Sequence, residues 1–201
     1  AAGHTTEGEV KFTTESGIPN VITAPALTGV YGTAVKNMTI SGGSVKYGSE
    51  IVTGTWTITD ENSADIPVVG TENSYTLTFT PLSSTYKPVT ASVIPDVTPL
   101  SVAAAVITGV NDGYSYTGDV IKPVVTVILN GNTLTEEDYV VEYGTNTNCG
   151  TDSGRVTVKG KGNYGESATV YFDINKVDTE LTSLSRDVIK NYGDKAFTLD
   201  V

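Results

Sequence analysis

The chain of 201 residues contains one cysteine, one histidine and one methionine. One cysteine excludes an internal disulfide, and one histidine excludes a histidine-rich metal centre or a relay of two imidazoles. Basic residues are also scarce, with 12 Lys and Arg against 23 Asp and Glu, which gives a formal net charge of −11. Because such a surface repels polyphosphate, neither nucleic acid nor an anionic membrane is an expected partner.

Long hydrophobic runs are missing as well. The longest purely apolar stretch covers residues 102–107, whereas a helix that spans a membrane needs roughly 20 apolar residues. No membrane insertion is therefore expected in this part of a protein. At 38% hydrophobic and 17% charged residues, the composition is that of a chain that folds around a core.

Alternation with a period of two residues dominates the chain. Residues 55–59 and 75–80 alternate threonine with large apolar residues, and residues 155–159 and 168–174 alternate in a similar way. A strand that buries one face shows this pattern, and β-branched residues favour strands. Helical spacing is nearly absent. The sequence therefore predicts an all-β fold.

Turn residues predict where the strands reverse direction. Asn130-Gly131 follows the apolar run 124–129 and predicts a type I′ hairpin, because both residues tolerate the positive φ that this turn requires. Gly42-Gly43 is interpreted in the same way, as the turn of a second hairpin between its two flanking apolar segments.

Two segments compete for helix. Residues 135–138 read Thr-Glu-Glu-Asp and predict a single helical turn at most, with the Thr135 hydroxyl capping a backbone amide. Residues 181–189 place apolar side chains at helical spacing, but they include three hydroxyl residues and precede Tyr192-Gly193. We interpret this second segment as extended.

Similar phrases recur along the chain. Tyr31-Gly32, Tyr116-Thr117-Gly118 and Tyr192-Gly193 each open a stretch of related sequence, with a spacing of roughly 80 residues. This spacing is close to the size of an immunoglobulin-like β-sandwich. The expected organisation is a tail or remnant of a preceding module at 1–17, a first sandwich at 18–97, a second at 98–177, and the start of an incomplete third repeat at 178–201.

The second of these blocks also resembles a known family. From residue 110 to 176 the chain is similar to an immunoglobulin-like repeat of large bacterial surface proteins, and the first block resembles a neighbouring module through Gly54-Thr55-Trp56 and Phe79-Thr80-Pro81. The segments that carry the resemblance in the second block are Tyr116-Thr117-Gly118, residues 122–127, residues 138–143, the turn Gly160-Lys161-Gly162-Asn163-Tyr164-Gly165, and Phe172-Asp173-Ile174.

The resemblance implies tandem immunoglobulin-like β-sandwiches in an extracellular, cell-surface or cell-wall protein of a bacterium. The implied function is that of a non-catalytic structural spacer or adhesion module, as in a stalk or an adhesin. Its expected partners are neighbouring repeats of the same chain and a cell-surface glycan or a host protein, with no cofactor, no metal and no catalytic residue. The alternative is a carbohydrate-binding accessory module of a large secreted enzyme.

Tyrosine is the residue type that carries a binding hypothesis, because 11 Tyr stand against only four Phe. Exposed tyrosine rings could stack on sugars, and the candidate positions are Tyr114, Tyr116, Tyr143 and Tyr164. The competing interpretation is that these rings line the edge of a thin β-sheet core. Trp56, which alternates with threonines, is expected to anchor the core of the first sandwich.

Other reactive residues form no recognisable motif. Cys149 has no histidine nearby in sequence, since His4 is the only one, so a neutral loop thiol is expected. The acids at 60–61, 136–138 and Asp152 lack the alternating spacing of a calcium loop and are interpreted as solvated faces. A covalent Lys–Asn staple remains an alternative, but no motif selects a lysine and an asparagine for it.

Overall fold

A computed structural model describes residues 16–177. The predictions for residues 1–15 of the tail expected at 1–17, for the third repeat at 178–201 and for the extended segment 181–189 lie outside the described residues. Within them the protein is all-β, with eighteen strands in six small sheets and one short 3-10 turn, Val35–Asn37. The class of fold predicted from the sequence is therefore confirmed.

Nine strands lie in residues 16–98, which we call the N-terminal half. They are β1 (Asn20–Thr23), β2 (Ala26–Val30), β3 (Thr39–Ser41), β4 (Ser44–Tyr47), β5 (Glu50–Ile51), β6 (Gly54–Ile58), β7 (Tyr75–Pro81), β8 (Val89–Val93) and β9 (Asp96–Thr98). Their sheets have the orders β1-β4-β5, β3-β2-β9 and β6-β7-β8.

The other nine strands lie in residues 99–177, the C-terminal half. They are β10 (Leu100–Ser101), β11 (Val106–Thr108), β12 (Gly113–Ser115), β13 (Thr126–Leu129), β14 (Asn132–Thr133), β15 (Tyr139–Tyr143), β16 (Gly150–Gly160), β17 (Tyr164–Gly165) and β18 (Ser167–Asn175). Their sheets have the orders β10-β17, β11-β13-β14 and β12-β18-β16-β15. Each of these ladders joins strands of one half only.

The same pairings recur in both halves. The order β1-β4-β5 corresponds to β11-β13-β14, and the meander β6-β7-β8 corresponds to β15-β16-β18. The parallel pair of β2 with β9 corresponds to that of β12 with the end of β18. A parallel bridge between Gly17 and Tyr86 matches the parallel pair of β10 with β17. Strand β3 is an addition of the N-terminal half.

Strand alternation places the cores as the sequence predicts. In β7, Tyr75, Leu77 and Phe79 are buried while the threonines between them face outward. One outward threonine, Thr78, shares a 2.7 Å hydroxyl contact with Thr59. The strands predicted at 55–59, 75–80, 155–159 and 168–174 are confirmed as β6, β7, β16 and β18.

Each half buries two apolar clusters between its sheets, and β7 or β16 contributes to both. Trp56 is half-buried and packs against both clusters of the N-terminal half, with its ring 5.3 Å from that of Phe79. The clusters are cluster 1 (Leu27, Val35, Met38, Tyr75, Leu77, Val93, Val97), cluster 2 (Val45, Val52, Phe79), cluster 3 (Val102, Val127, Leu129, Leu134, Tyr139, Val158) and cluster 4 (Val156, Phe172, Ile174).

The two predicted hairpin turns have different outcomes. Asn130 and Gly131 have φ of 51° and 81° and connect the paired strands β13 and β14, so the type I′ prediction is confirmed. The hairpin at Gly42-Gly43 is wrong, because β3 pairs with β2 whereas β4 pairs with β1 and β5. A Cβ on Gly43 would lie 2.7 Å from the Trp56 indole nitrogen, so this glycine lets the chain cross between sheets close to the core.

The predicted helical turn at 135–138 is also wrong. The segment is a turn without helix, closed by the Asp138 amide, which donates to the Thr135 carbonyl at 2.9 Å. The Thr135 amide and hydroxyl both donate to the Asp138 carboxylate, at 2.9 and 2.8 Å. The Thr135 hydroxyl thus donates to a side chain, whereas the predicted cap requires it to accept a backbone amide.

Candidate functional site

The junction between the two halves contains a single residue that belongs to no strand. Strand β9 of the N-terminal half ends at Thr98, and strand β10 of the C-terminal half begins at Leu100. Only Pro99 lies between them, and proline has a fixed φ. The Thr98 carbonyl accepts the Tyr31 amide at 2.9 Å. The connection between the two halves is therefore short and has little conformational freedom.

The turn Gly160–Gly165 holds the start of the C-terminal half at this junction. Two backbone amides donate to it, Leu100 to the Asn163 carbonyl and Val102 to the Gly165 carbonyl, both at 2.9 Å. Gly160 approaches the turn so closely that a Cβ there would lie 2.6 Å from the Gly165 nitrogen. Gly160 thus lets the turn fold back on its own strand.

The side chains of this turn reach across to the N-terminal half. The Val69 amide donates to Asn163 Oδ1 at 2.9 Å, and this bond is partly buried. The Tyr164 ring meets the Tyr31 ring nearly at a right angle, with centroids 5.5 Å apart. Edge-to-face pairs of this kind add about 0.5–1.5 kcal/mol to the energy of burial. The junction therefore has a polar and an aromatic contact in addition to the continuous chain.

The electrostatics of the junction keep Tyr164 neutral. Burial raises the pKa of the Tyr164 hydroxyl, and the Asp138 carboxylate and the Tyr31 hydroxyl raise it further. The Asp138 carboxylate would repel a tyrosinate. The Asp138 carbonyl in turn accepts the Lys161 amide at 2.8 Å, which ties this acid to the same turn.

The four candidate tyrosines have separate environments. Tyr114 packs edge-on against Phe172 at 4.9 Å, and its hydroxyl accepts the Asn111 amide. The Tyr143 hydroxyl donates to the Pro123 carbonyl at 2.8 Å. Tyr114 and Tyr143 pack against cluster 4 and Tyr164 packs against cluster 3, whereas Tyr116 is 45% exposed. Of the four, the structure thus brings only Tyr114 and Tyr143 to the same core.

A shallow pocket in the C-terminal half is lined by two tyrosines. It has a volume of about 370 Å³ and lies along the edge strand β15, where Tyr139 is buried and Val124 is 87% exposed. A single acid, Glu136, faces it. The residues that line it are Val124, Val125, Glu136, Tyr139, Val141 and Tyr143. Apolar walls with one carboxylate allow stacking and one hydrogen-bonding group for a ligand.

The remaining reactive residues do not come together. Cys149 is half-buried beside cluster 4. Within residues 16–177, no group of three or more His, Cys, Asp or Glu side chains could hold a metal ion. In the same range no lysine is buried, so these lysines do not offer the buried amine that a Lys–Asn staple requires.

Sequence reasoning missed Asn146, which is fully buried. Its Nδ2 donates to the Ile121 and Arg155 carbonyls at 2.9 and 3.1 Å, and its Oδ1 accepts the Arg155 amide at 2.8 Å. The Asn146 side chain thus makes the hydrogen bonds that a β-ladder would make between its own loop and the segments of Ile121 and Arg155. A polar residue in a loop gives no sign of such burial, because the sequence does not state which carbonyls will lack partners.

No protein-family model, curated protein or solved structure matches the chain. Within the described residues, no helix is long and apolar enough to span a bilayer. The two halves meet at a junction formed by Tyr31, Val69, Asn163 and Tyr164.

Proposed function

We propose that the chain consists of two tandem immunoglobulin-like β-sandwich modules and acts as a non-catalytic spacer or adhesion module of a bacterial cell-surface or secreted multidomain protein. The two modules correspond to the expected blocks 18–97 and 98–177. The recurrence of the strand pairings in both halves supports the tandem arrangement. In such sandwiches, the sheets of each module typically pack around a core of their own.

The observation that carries this proposal is the junction. A spacer has to hold its neighbours at a restricted angle, since a flexible linker would let the distal module fold back. Here one proline separates the two halves, and Asn163 and Tyr164 add contacts from a turn far along the chain. Junctions between independently acting domains are usually longer and polar.

Solution scattering on the full chain tests this function. A restricted junction predicts an elongated particle whose maximum dimension does not change between low and high salt, because few charges take part in it. The double variant Asn163→Ala/Tyr164→Ala should broaden the distance distribution. A broad distribution already present in the unaltered chain would contradict the spacer proposal.

The pocket along β15 favours a second candidate function, the carbohydrate-binding accessory module. Tyr143, which is half-buried, is one of the two tyrosines that line this pocket. A glycan array with the full chain tests it, with Tyr143→Phe and Tyr143→Ala as the matched pair. Glycan binding that survives loss of the hydroxyl but not loss of the ring would support this function. An array without a bound glycan leaves the spacer proposal as the better account.

A further inference from the structure

Tyr31 and Tyr116 occupy equivalent positions in the two halves. Tyr31 follows β2, and its amide donates to the carbonyl of Thr98 at the end of the parallel partner β9. Tyr116 follows β12, and its amide donates to the carbonyl of Asn175 at the end of the parallel partner β18. Both bonds measure 2.9 Å. Each tyrosine therefore marks the end of its half at which the chain leaves.

The environments of these two rings differ. Tyr31 is half-buried because it packs against cluster 1 of its own half and because the Tyr164 ring of the next half lies against it. Tyr116 is 45% exposed. Asn175, whose carbonyl accepts the Tyr116 amide, also lines a shallow hollow of about 230 Å³ together with Cys149 and Lys176. The C-terminal half thus has an aromatic ring beside a concave surface at the place where the N-terminal half carries a docked turn.

The opposite end of each half repeats as well. Gly17 forms a parallel bridge with Tyr86, just as β10 pairs in parallel with β17 at Tyr164. Tyr86 and Tyr164 both lie in the connection before the last long strand of the meander. Each half therefore presents a tyrosine-bearing turn at one end and an aromatic ring at the other, so that halves can stack head to tail.

We infer that the surface formed by Tyr116, Cys149, Asn175 and Lys176 is a docking site for the Gly-Asn-Tyr turn of a further module that follows Val177 in the chain. This inference rests on the proposed tandem arrangement and extends it to a second junction. Its basis is equivalence with the first junction, where the Tyr31 surface holds the turn with Asn163 and Tyr164. The occupant is a Tyr side chain whose edge faces the Tyr116 ring.

The second junction differs from the first in its polar contact. Val69, which donates to Asn163, lies in the connection between β6 and β7, residues 59–74. The corresponding connection in the C-terminal half, residues 144–149, is much shorter, and its Asn146 points into the core. The second docking site therefore relies on the aromatic contact and on backbone pairing with the residues after Asn175.

An internal duplication tests this inference with every residue of the chain present. Residues 1–177 are followed by a second copy of 101–201, so that Val177 takes the position of Leu100. The second copy carries Val120→Ile as a mass label, and nitration of each tyrosine with tetranitromethane is followed by peptide mass spectrometry. Tyr171, which is 55% exposed, serves as the control for an accessible ring, and its nitration is measured as the sum over both copies.

The expected result is a difference between two tyrosines in the same sequence context. Tyr116 of the first copy should nitrate about tenfold more slowly than Tyr116 of the second copy, because a tethered turn reaches a high effective concentration at its site. Tyr164→Ala in the second copy should restore nitration of the first-copy Tyr116. Equal nitration of both Tyr116 residues, or protection that survives Tyr164→Ala, would overturn the inference.

The same experiment separates this inference from the proposed function. Tyr31 of the duplicated chain should be protected in every case, since its partner is the natural Tyr164. Rapid nitration of Tyr31 would contradict the first junction and with it the spacer proposal. Protection of Tyr31 together with a reactive first-copy Tyr116 would overturn the second docking site alone. Protection of Tyr116 in the second copy would assign its cover to residues 178–201 and would also overturn it.

Discussion

The backbone amide of Val69 donates a 2.9 Å hydrogen bond to Oδ1 of Asn163, and the two residues are 94 positions apart. This bond joins a loop of the N-terminal half to the turn that also holds Leu100 by its backbone. One short turn therefore fixes both the first strand of its own half and the surface of the preceding half. This turn therefore orients the sheets of the two halves relative to each other.

Replacement of Asn163 tests this bond directly. Asn163→Ala removes the acceptor, and the Val69 amide should exchange with solvent about fivefold faster, since a hydrogen bond of this kind contributes about 1 kcal/mol. Asn163→Asp keeps an acceptor oxygen at the same position and should leave the exchange rate unchanged. Hydrogen exchange followed by NMR measures both variants. Equal exchange in Asn163→Ala and the unaltered chain would show that the bond is absent in solution.

Replacement of Asn146 should destabilise the C-terminal half. Asn146→Asp retains the shape of the side chain but turns a carboxylate oxygen toward the Ile121 and Arg155 carbonyls, which now lack a donor. A loss of about 2–4 kcal/mol in the free energy of unfolding is expected, because buried acceptors lose their partners. Asn148→Asp, at an exposed position of the same loop, is the matched control. Denaturant unfolding measures both, and similar small effects would contradict the assigned role of Asn146.

Trp56→Ala should cost about 3 kcal/mol in the free energy of unfolding. The ring packs against clusters 1 and 2, so its removal leaves a cavity in addition to the lost burial. Leu82→Ala is the control, because Leu82 is 78% exposed and its truncation should change the stability little. Chemical denaturation with both variants distinguishes a core ring from a surface ring. A Trp56 effect as small as that of Leu82 would favour a surface role.

Stability should decrease at alkaline pH. Burial is the largest cause of a raised pKa at Tyr75, Tyr139 and Tyr164. Because these folded-state pKa values lie above the ordinary tyrosine value of about 10, their contribution is complete below pH 10 and is lost as the pH rises through the raised values. Tyr164→Phe removes one of these groups and should make the decrease shallower. A stability profile flat from pH 9 to about pH 12 would contradict this assignment.

Period-two alternation was enough to predict β6, β7, β16 and β18, because each of these strands buries one face. Asn130-Gly131 was predictable for a similar reason, since its positive φ values are a local requirement. Gly42-Gly43 has positive φ at both residues as well, yet its neighbouring strands pair elsewhere. The close approach of Trp56 to Gly43 decides the path of the chain there, and this contact is not local in sequence.

The junction was predictable only in part. The turn Gly160–Gly165 stood out in the sequence, but the partners of Asn163 and Tyr164 lie in the other half and follow no local rule. Asn146 was missed for the same physical reason, because its buried hydrogen bonds depend on carbonyls that other segments of the chain supply. Tyr164 was selected as an exposed ring for sugars, whereas its ring packs against Tyr31 and cluster 3.

The restricted junction is the central claim, and residual dipolar couplings of backbone amides in the full chain test it most directly. Couplings from residues 16–98 and from residues 99–177 are fitted separately to the two halves. A junction held by Pro99, Asn163 and Tyr164 predicts the same alignment tensor, in magnitude and orientation, for both halves. Two tensors of clearly different magnitude would mean that the halves reorient independently, and would contradict the account.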